Sequence, residues 1–119
     1  MRNSLLIASL LAISSYSYGC DCNFIIGMKE AYSVFEGKVI AIEKVESPNI
    51  FYKIRFRINK VIKGKINTKV IIVNTPSLDV GGCGIPFIVN ANYQVYTYWE
   101  FQKLYTGDCT KTKILDEGI

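Results

Sequence analysis

The sequence predicts a small, disulfide-stapled, mainly β domain: an antiparallel sheet closed into a barrel or folded into a sandwich, with one short helix. Three observations carry that expectation. Residues 50–62 give the cleanest alternation of apolar and polar side chains in the sequence, regular from Tyr52 to Asn59, which is the period of a half-buried strand. Other runs rich in Val, Ile, Tyr and Phe follow one another between turn-forming residues, with no long helical pattern between them; this favours strands joined by short loops over crossover helices. Four cysteines stand in a chain of 119 residues that opens like an exported protein, and an even count in such a chain implies disulfides.

The elements follow in order. Residues 1–19 read as a secretory signal peptide. Arg2 gives the positive start, Leu5 to Ile13 the apolar run, and Ser17 and Gly19 the small residues before a cut at Cys20. The run is too short to span a bilayer, which takes about 20 apolar residues. A cut directly before a cysteine also suits a lipoprotein signal. That alternative would acylate Cys20, leave an odd cysteine count and usually place an aliphatic residue where Ser17 stands. The expected product is a single domain of residues 20–119, secreted to the extracellular space or the periplasm, where disulfides persist.

Asn23 to Ser33 carries Ile25, Ile26, Met28, Ala31 and Tyr32 at loosely helical spacing and reads as a short helix or irregular cover. Val34 to Val45 is a strand, with Gly37 a candidate bulge. Glu46 to Asn49 turns the chain. In the next strand Tyr52, Ile54, Phe56 and Ile58 face one way, and Lys53, Arg55, Arg57 and Asn59 the other. The basic row is either the solvated face of a sheet or an anion-binding stripe. Lys63-Gly64-Lys65 turns, Lys69 to Asn74 is a short apolar strand, and Thr75 to Pro86 is a Gly- and Pro-containing loop around Cys83. Asn92 to Glu100 is an aromatic strand and Phe101 to Thr106 a further one, ended by Gly107-Asp108-Cys109. Five strands in so short a chain fit a Greek-key barrel of the oligonucleotide/oligosaccharide-binding (OB) type.

Composition narrows the chemistry. The chain has no histidine, which removes Ser-His-Asp and Cys-His nucleophile systems and His-based zinc sites. Cys83 and Cys109 are too far apart in sequence for a usual four-cysteine zinc site, so no metal of its own and no cofactor is expected. A net charge of +4 is too mild to suggest nucleic acid. Glu36, Asp79, Glu100 and Asp108 show no dyad spacing, so an enzyme is not expected. Cys20, Cys22, Cys83 and Cys109 allow three pairings; a bridge between Cys20 and Cys22 would close a strained ring, and the other two both fasten the N-terminal Cys-Asp-Cys onto the domain. Chain termini ordinarily fray, so a pinned one is informative.

The ordered set of short motifs resembles a known family. It runs from Cys20-Asp21-Cys22 through Val34-Phe35-Glu36-Gly37-Lys38-Val39 to Tyr52-Lys53-Ile54-Arg55-Phe56, then Val61-Ile62-Lys63-Gly64 and Thr75-Pro76. Cys83-Gly84, Tyr93-Gln94-Val95-Tyr96 and Leu104-Tyr105-Thr106-Gly107-Asp108-Cys109 complete it. This is similar to the N-terminal, netrin-like domain of the tissue inhibitors of metalloproteinases. The resemblance implies a five-stranded OB-type barrel and two disulfides, Cys20–Cys83 and Cys22–Cys109. It also implies that the mature α-amine and carbonyl oxygen of Cys20 chelate the catalytic zinc of a partner metalloprotease, with Asp21 in the protease's specificity pocket. Cys22 and the loop residues Ser77, Leu78, Asp79 and Val80 would be flanking contacts, and the inhibitor would act as a monomer. The family has a small Thr or Ser where Asp21 stands, and its third disulfide and C-terminal domain have no counterpart here.

A second class of function stays in view: a non-inhibitory binding module, secreted or lipid-anchored through Cys20, that would use Tyr93, Tyr96, Tyr98, Trp99 and Phe101 as a stacking surface for a glycan or protein. The competing expectation is that alternate members of that set fill the core.

Overall fold

The computed structural model describes residues 21–78 and 82–118; the signal-peptide segment, Cys20, Asp79 and Val80 lie outside them. Six strands form one sheet: β1 (Ser33–Val45), β2 (Phe51–Lys63), β3 (Val70–Pro76), β4 (Asn92–Glu100), β5 (Lys103–Tyr105) and β6 (Lys113–Asp116). Their order is β1-β2-β3-β5-β4-β6, and β4 also pairs back onto β1, so the first five strands make a ring. Within the ring every ladder is antiparallel except the seam, where β3 meets β5 in one parallel pair, Asn74 with Tyr105. β6 continues along the edge of β4 beyond β5, opposite Asn92 to Gln94.

The alternation of β2 explains the core. Ile54 and Phe56 are fully buried while Arg55 and Arg57 are exposed, and each such apolar side chain contributes about 1.5–3 kcal/mol by leaving water. They pack with Phe35, Val39, Val73, Phe87, Val95 and Tyr93. Edge-to-face contacts run from Phe35 to Phe56 (5.3 Å between ring centres), Phe87 (5.4 Å) and Tyr93 (4.7 Å), the arrangement favoured by the ring quadrupoles. Three register shifts interrupt the β1–β2 ladder, one between Glu36 and Gly37. Such shifts bend and coil a strand, and this lets the first half of β1 serve both β2 and β4. Gly37 is required there: a Cβ would sit 2.9 Å from the Arg57 carbonyl oxygen.

Three expectations need correction. Among the described residues there is no helix. The segment 23–33 instead gives Ile26 to a parallel bridge with Thr110 and then makes a single turn closed by Ala31 N–H donating to Gly27 C=O at 2.9 Å. Once Ile26 is committed to the bridge, too few residues remain to repay helix nucleation. The last predicted strand begins only at Lys103, because Phe101 and Gln102, at φ 50° and 62°, are the two central residues of the hairpin between β4 and β5. Positive φ at both positions matches the strand twist in a two-residue hairpin. β6 was not expected at all; its four residues are all exposed. As for the two disulfides, Cys22–Cys109 is formed. Cys83 is disulfide-bonded too, but the expected Cys20–Cys83 bridge involves a residue outside those described. A disulfide of this kind fits an oxidising compartment.

Candidate functional site

The site grows out of the way the N-terminal segment is fastened. Its backbone is held on both sides: Ile26 N–H donates to Cys109 C=O at 2.8 Å, and Lys111 N–H to Ile26 C=O at 3.0 Å. Cys22 is bonded to Cys109 on the same strip. Beneath it lies a second, smaller core of Ala31, Val34 and Tyr96, with Ile26 and Ile62 against it. Val34 and Tyr96 stand on the outward face of β1 and β4, so the N-terminal segment acts as their cover. Further fastenings follow toward β1. The Glu30 carboxylate accepts the Gly27 N–H at 3.0 Å, and this bond holds the Glu30 pKa below its ordinary value. The Lys63 ammonium donates to the carbonyls of Met28 (2.8 Å) and Lys29 (3.1 Å). Tyr32 N–H donates to Thr97 C=O at 2.8 Å.

The loop that carries Cys83 is clamped to the same strip. Asp108 N–H donates to Cys83 C=O at 2.7 Å, and Gly84 N–H to Ser77 C=O at 3.3 Å. Two glycines permit this approach: a Cβ on Gly107 would lie 2.7 Å from Cys83 O, and one on Gly84 would collide with the Pro76 carbonyl. Three threonines brace the turn around Cys109. Thr106 Oγ1 donates to Tyr96 C=O (2.8 Å), Thr110 Oγ1 to Gly107 C=O (2.8 Å), and Thr112 Oγ1 accepts from Tyr96 N–H (2.9 Å).

Asp21, Cys22, Cys83 and Cys109 line one hollow of about 240 Å³, together with Phe24 and Tyr98. Of the residues expected here, Asp21 is exposed and Cys22 is half-buried in its bridge. Ser77 is half-buried and Leu78 is exposed; neither lines the hollow, and they are tied to it through the Gly84–Ser77 bond. Cys20, Asp79 and Val80 fall outside the described residues. The sequence reading missed Ile26, Phe24, Tyr98 and Asp108 as parts of the site. The small polar run Thr106-Gly-Asp-Cys-Thr-Lys-Thr112 was the available signal, since such residues cluster where side chains take over backbone hydrogen bonds.

The aromatic set does not divide by simple alternation: Tyr93 belongs to the main core and Tyr96 to the smaller one on the other face of β4. Tyr93 and Tyr96 are buried, whereas Trp99 and Phe101 stand in solvent. Tyr98 stacks on Tyr105 at 5.9 Å. Burial, helped by the nearby Glu100 carboxylate and Tyr105, pushes the Tyr98 phenol above its ordinary pKa of 10.0. The folded chain therefore favours the protonated phenol. Its contribution to stability is intact below pH 10 and is lost as pH rises through the raised folded value. Urea unfolding above pH 10 should show the wild type losing more stability than Tyr98→Phe. Equal losses would mean that the Tyr98 environment does not discriminate between the two forms.

No protein-family model matches the sequence, and no curated protein matches it. The chemistry open to the site follows from its parts. With Cys22 and Cys109 joined to each other, neither offers a thiolate. What the geometry provides is a ledge, braced by the Cys22–Cys109 bridge and the Ile26 backbone bonds, that presents Asp21.

Proposed function

We propose that the exported, mature chain is an inhibitor of zinc metalloendopeptidases. In this reading the α-amine and carbonyl oxygen of Cys20 chelate the protease's zinc and displace the water needed for hydrolysis, since a catalytic zinc keeps one position open. Asp21 enters the specificity pocket, and Cys22 with the 77–80 loop packs alongside. The five-strand ring is read as the netrin-like, OB-type barrel, and residues 1–19 as the removed signal peptide.

The observation that supports this most is the bracing of the chain immediately after Asp21. The Cys22–Cys109 bridge and the two Ile26 backbone bonds hold it to the strip 109–111. A chelating terminus that is already ordered loses little freedom on binding, and that saving appears directly as affinity. A loose terminus of the same composition would forfeit it.

The test compares the mature chain beginning at Cys20 with a variant carrying one alanine in front of it, against a panel of zinc metalloendopeptidases. Loss of inhibition with the added residue is the expected result; equal inhibition by both forms defeats the proposal. An α-amine has a reference pKa of about 8 and must shed its proton to bind zinc. Inhibition should accordingly weaken as pH falls below neutrality, and a flat profile would count against chelation. Intact mass of the exported product separates this reading from the lipid-anchored one, because an acylated Cys20 cannot chelate.

A further inference from the structure

A second concave site lies across the seam of the ring, sharing no residue with the hollow beside Cys22. It is a cleft of about 340 Å³ between β2–β3 and the β4–β5 hairpin, lined by Lys53, Asn74, Trp99, Gln102 and Lys103 among others. That volume falls in the range of small-ligand sites, roughly 300–1,000 Å³.

Three features of the cleft point to one ligand chemistry. First, Asn74 is a carboxamide on the outward face of β3, next to inward Val73, yet only 4% exposed. Its backbone carbonyl accepts Thr106 N–H at 2.9 Å, but its side-chain Oδ1 has no hydrogen-bond partner among the described residues. Buried carbonyls are nearly always satisfied, so this one, closed to water in the free protein on a residue that lines the cleft, is an acceptor left without a donor. Second, Trp99 remains 54% exposed while Tyr32 stacks on it at 5.5 Å, which fixes the plane of a large apolar surface. The adjoining turn, Phe101-Gln102, has positive φ at two non-glycine residues, and Phe101 is 80% exposed. Third, Lys53 stands directly opposite Asn74 in the ladder, and neither Lys53 nor Lys103 is in an ion pair among the described residues. Glu43 and Glu100 are their respective ladder partners without closing on them.

We infer that this cleft binds an acidic oligosaccharide. The C–H face of one sugar packs on the Trp99 indole, its carboxylate or sulfate lies between the Lys53 and Lys103 ammoniums, and a ring hydroxyl donates to the Asn74 carboxamide. An apolar platform beside a hydroxyl acceptor suits a sugar better than a peptide. Only two cations line the cleft and the net charge is +4, which suits a short acidic glycan better than a polynucleotide. The inference is independent of the protease reading.

Trp99 is the only tryptophan in the chain, so its fluorescence reports on the cleft directly. The full mature chain would be titrated with a heparin-derived tetrasaccharide, a galacturonate tetrasaccharide and neutral maltotetraose. Saturable change with either acidic sugar is expected, the pair telling sulfate from carboxylate preference, and maltotetraose should bind at least about tenfold more weakly. The double variant Lys53→Gln/Lys103→Gln, at one half-buried and one exposed position, should lose about tenfold in affinity with a little-changed melting temperature. Asn74→Leu should also weaken binding; should it fail to fold, the lysine pair still decides. No response, an equal response to maltotetraose, undiminished affinity in the lysine variant, or a stronger response to an oligothymidylate or to phosphatidylglycerol vesicles would overturn the inference.

Discussion

Replacing Cys22 and Cys109 together by serine is expected to lower the stability of the folded chain by about 4 kcal/mol. The bridge spans 87 residues, most of the domain, and in the chain-entropy model a closed loop of that length withdraws much of the freedom of the unfolded chain. A domain of this size holds only about 5–15 kcal/mol in all, so the variant should lose between about a quarter and most of its stability. The local effect should be sharper still. Ile26 and Lys111 would keep their backbone bonds only as strongly as the small core of Ala31, Val34 and Tyr96 holds the segment down. Urea unfolding measures the first effect, and amide exchange at Ile26, Ala31 and Lys111 the second. A loss below about 1 kcal/mol with unchanged exchange would mean that the small core, not the sulfur bridge, fastens the segment. Changing both cysteines avoids leaving a lone thiol that could exchange with the bridge at Cys83.

The elements that were legible are those whose pattern depends on one face alone. β2 was plain because Tyr52, Ile54, Phe56 and Ile58 turn inward while their neighbours meet water, a contrast that needs no knowledge of the partner strands. Gly37 announced a bulge because a glycine inside a strand has few other uses. In the N-terminal segment the irregular-cover reading holds, and the helix reading fails for the opposite reason. Ile26 and Ala31 pack on the outside of the ring, against Val34 and Tyr96, so their spacing reflects a tertiary surface and imitates a helix. The Phe101-Gln102 turn was hidden by strand-favouring Phe and lacks the Asn-Gly signature of such turns. β6 was hidden by its shortness and its exposure on both faces. Within the site, Asp21 and Cys22 could be named from the Cys-x-Cys pattern. Tyr98 and Asp108 could not, because only the closing of β4 over β5 and the clamp on Cys83 bring them there. The seam cleft was equally out of reach: Lys53 and Trp99 lie on strands whose neighbourhood is decided by ring closure.

The second large effect concerns Asp21. On the proposed inhibitor reading, Asp21→Thr is expected to tighten inhibition of proteases with apolar specificity pockets by at least about 100-fold, or roughly 2.7 kcal/mol. Asp21 is exposed beside the Cys22 bridge, so in the free protein this residue meets water. Entering an apolar pocket strips that water, and a charged group without a partner there loses several kcal/mol unless it takes up a proton. Threonine avoids the charge, and its single hydroxyl needs only one hydrogen bond. The same substitution should weaken inhibition of a protease whose pocket carries a Lys or Arg, because there the carboxylate gains a charge-assisted bond that threonine cannot make. Opposite signs against the two kinds of pocket are the signature of a side chain that enters them. The 22–109 bridge keeps the backbone of this segment in place in both forms, so a change in inhibition constant reports the side chain rather than the fold. Indifference of both protease types to the substitution would place residue 21 outside the pocket and count against the proposed chelation, in which Cys20 on the zinc directs the next side chain into that pocket.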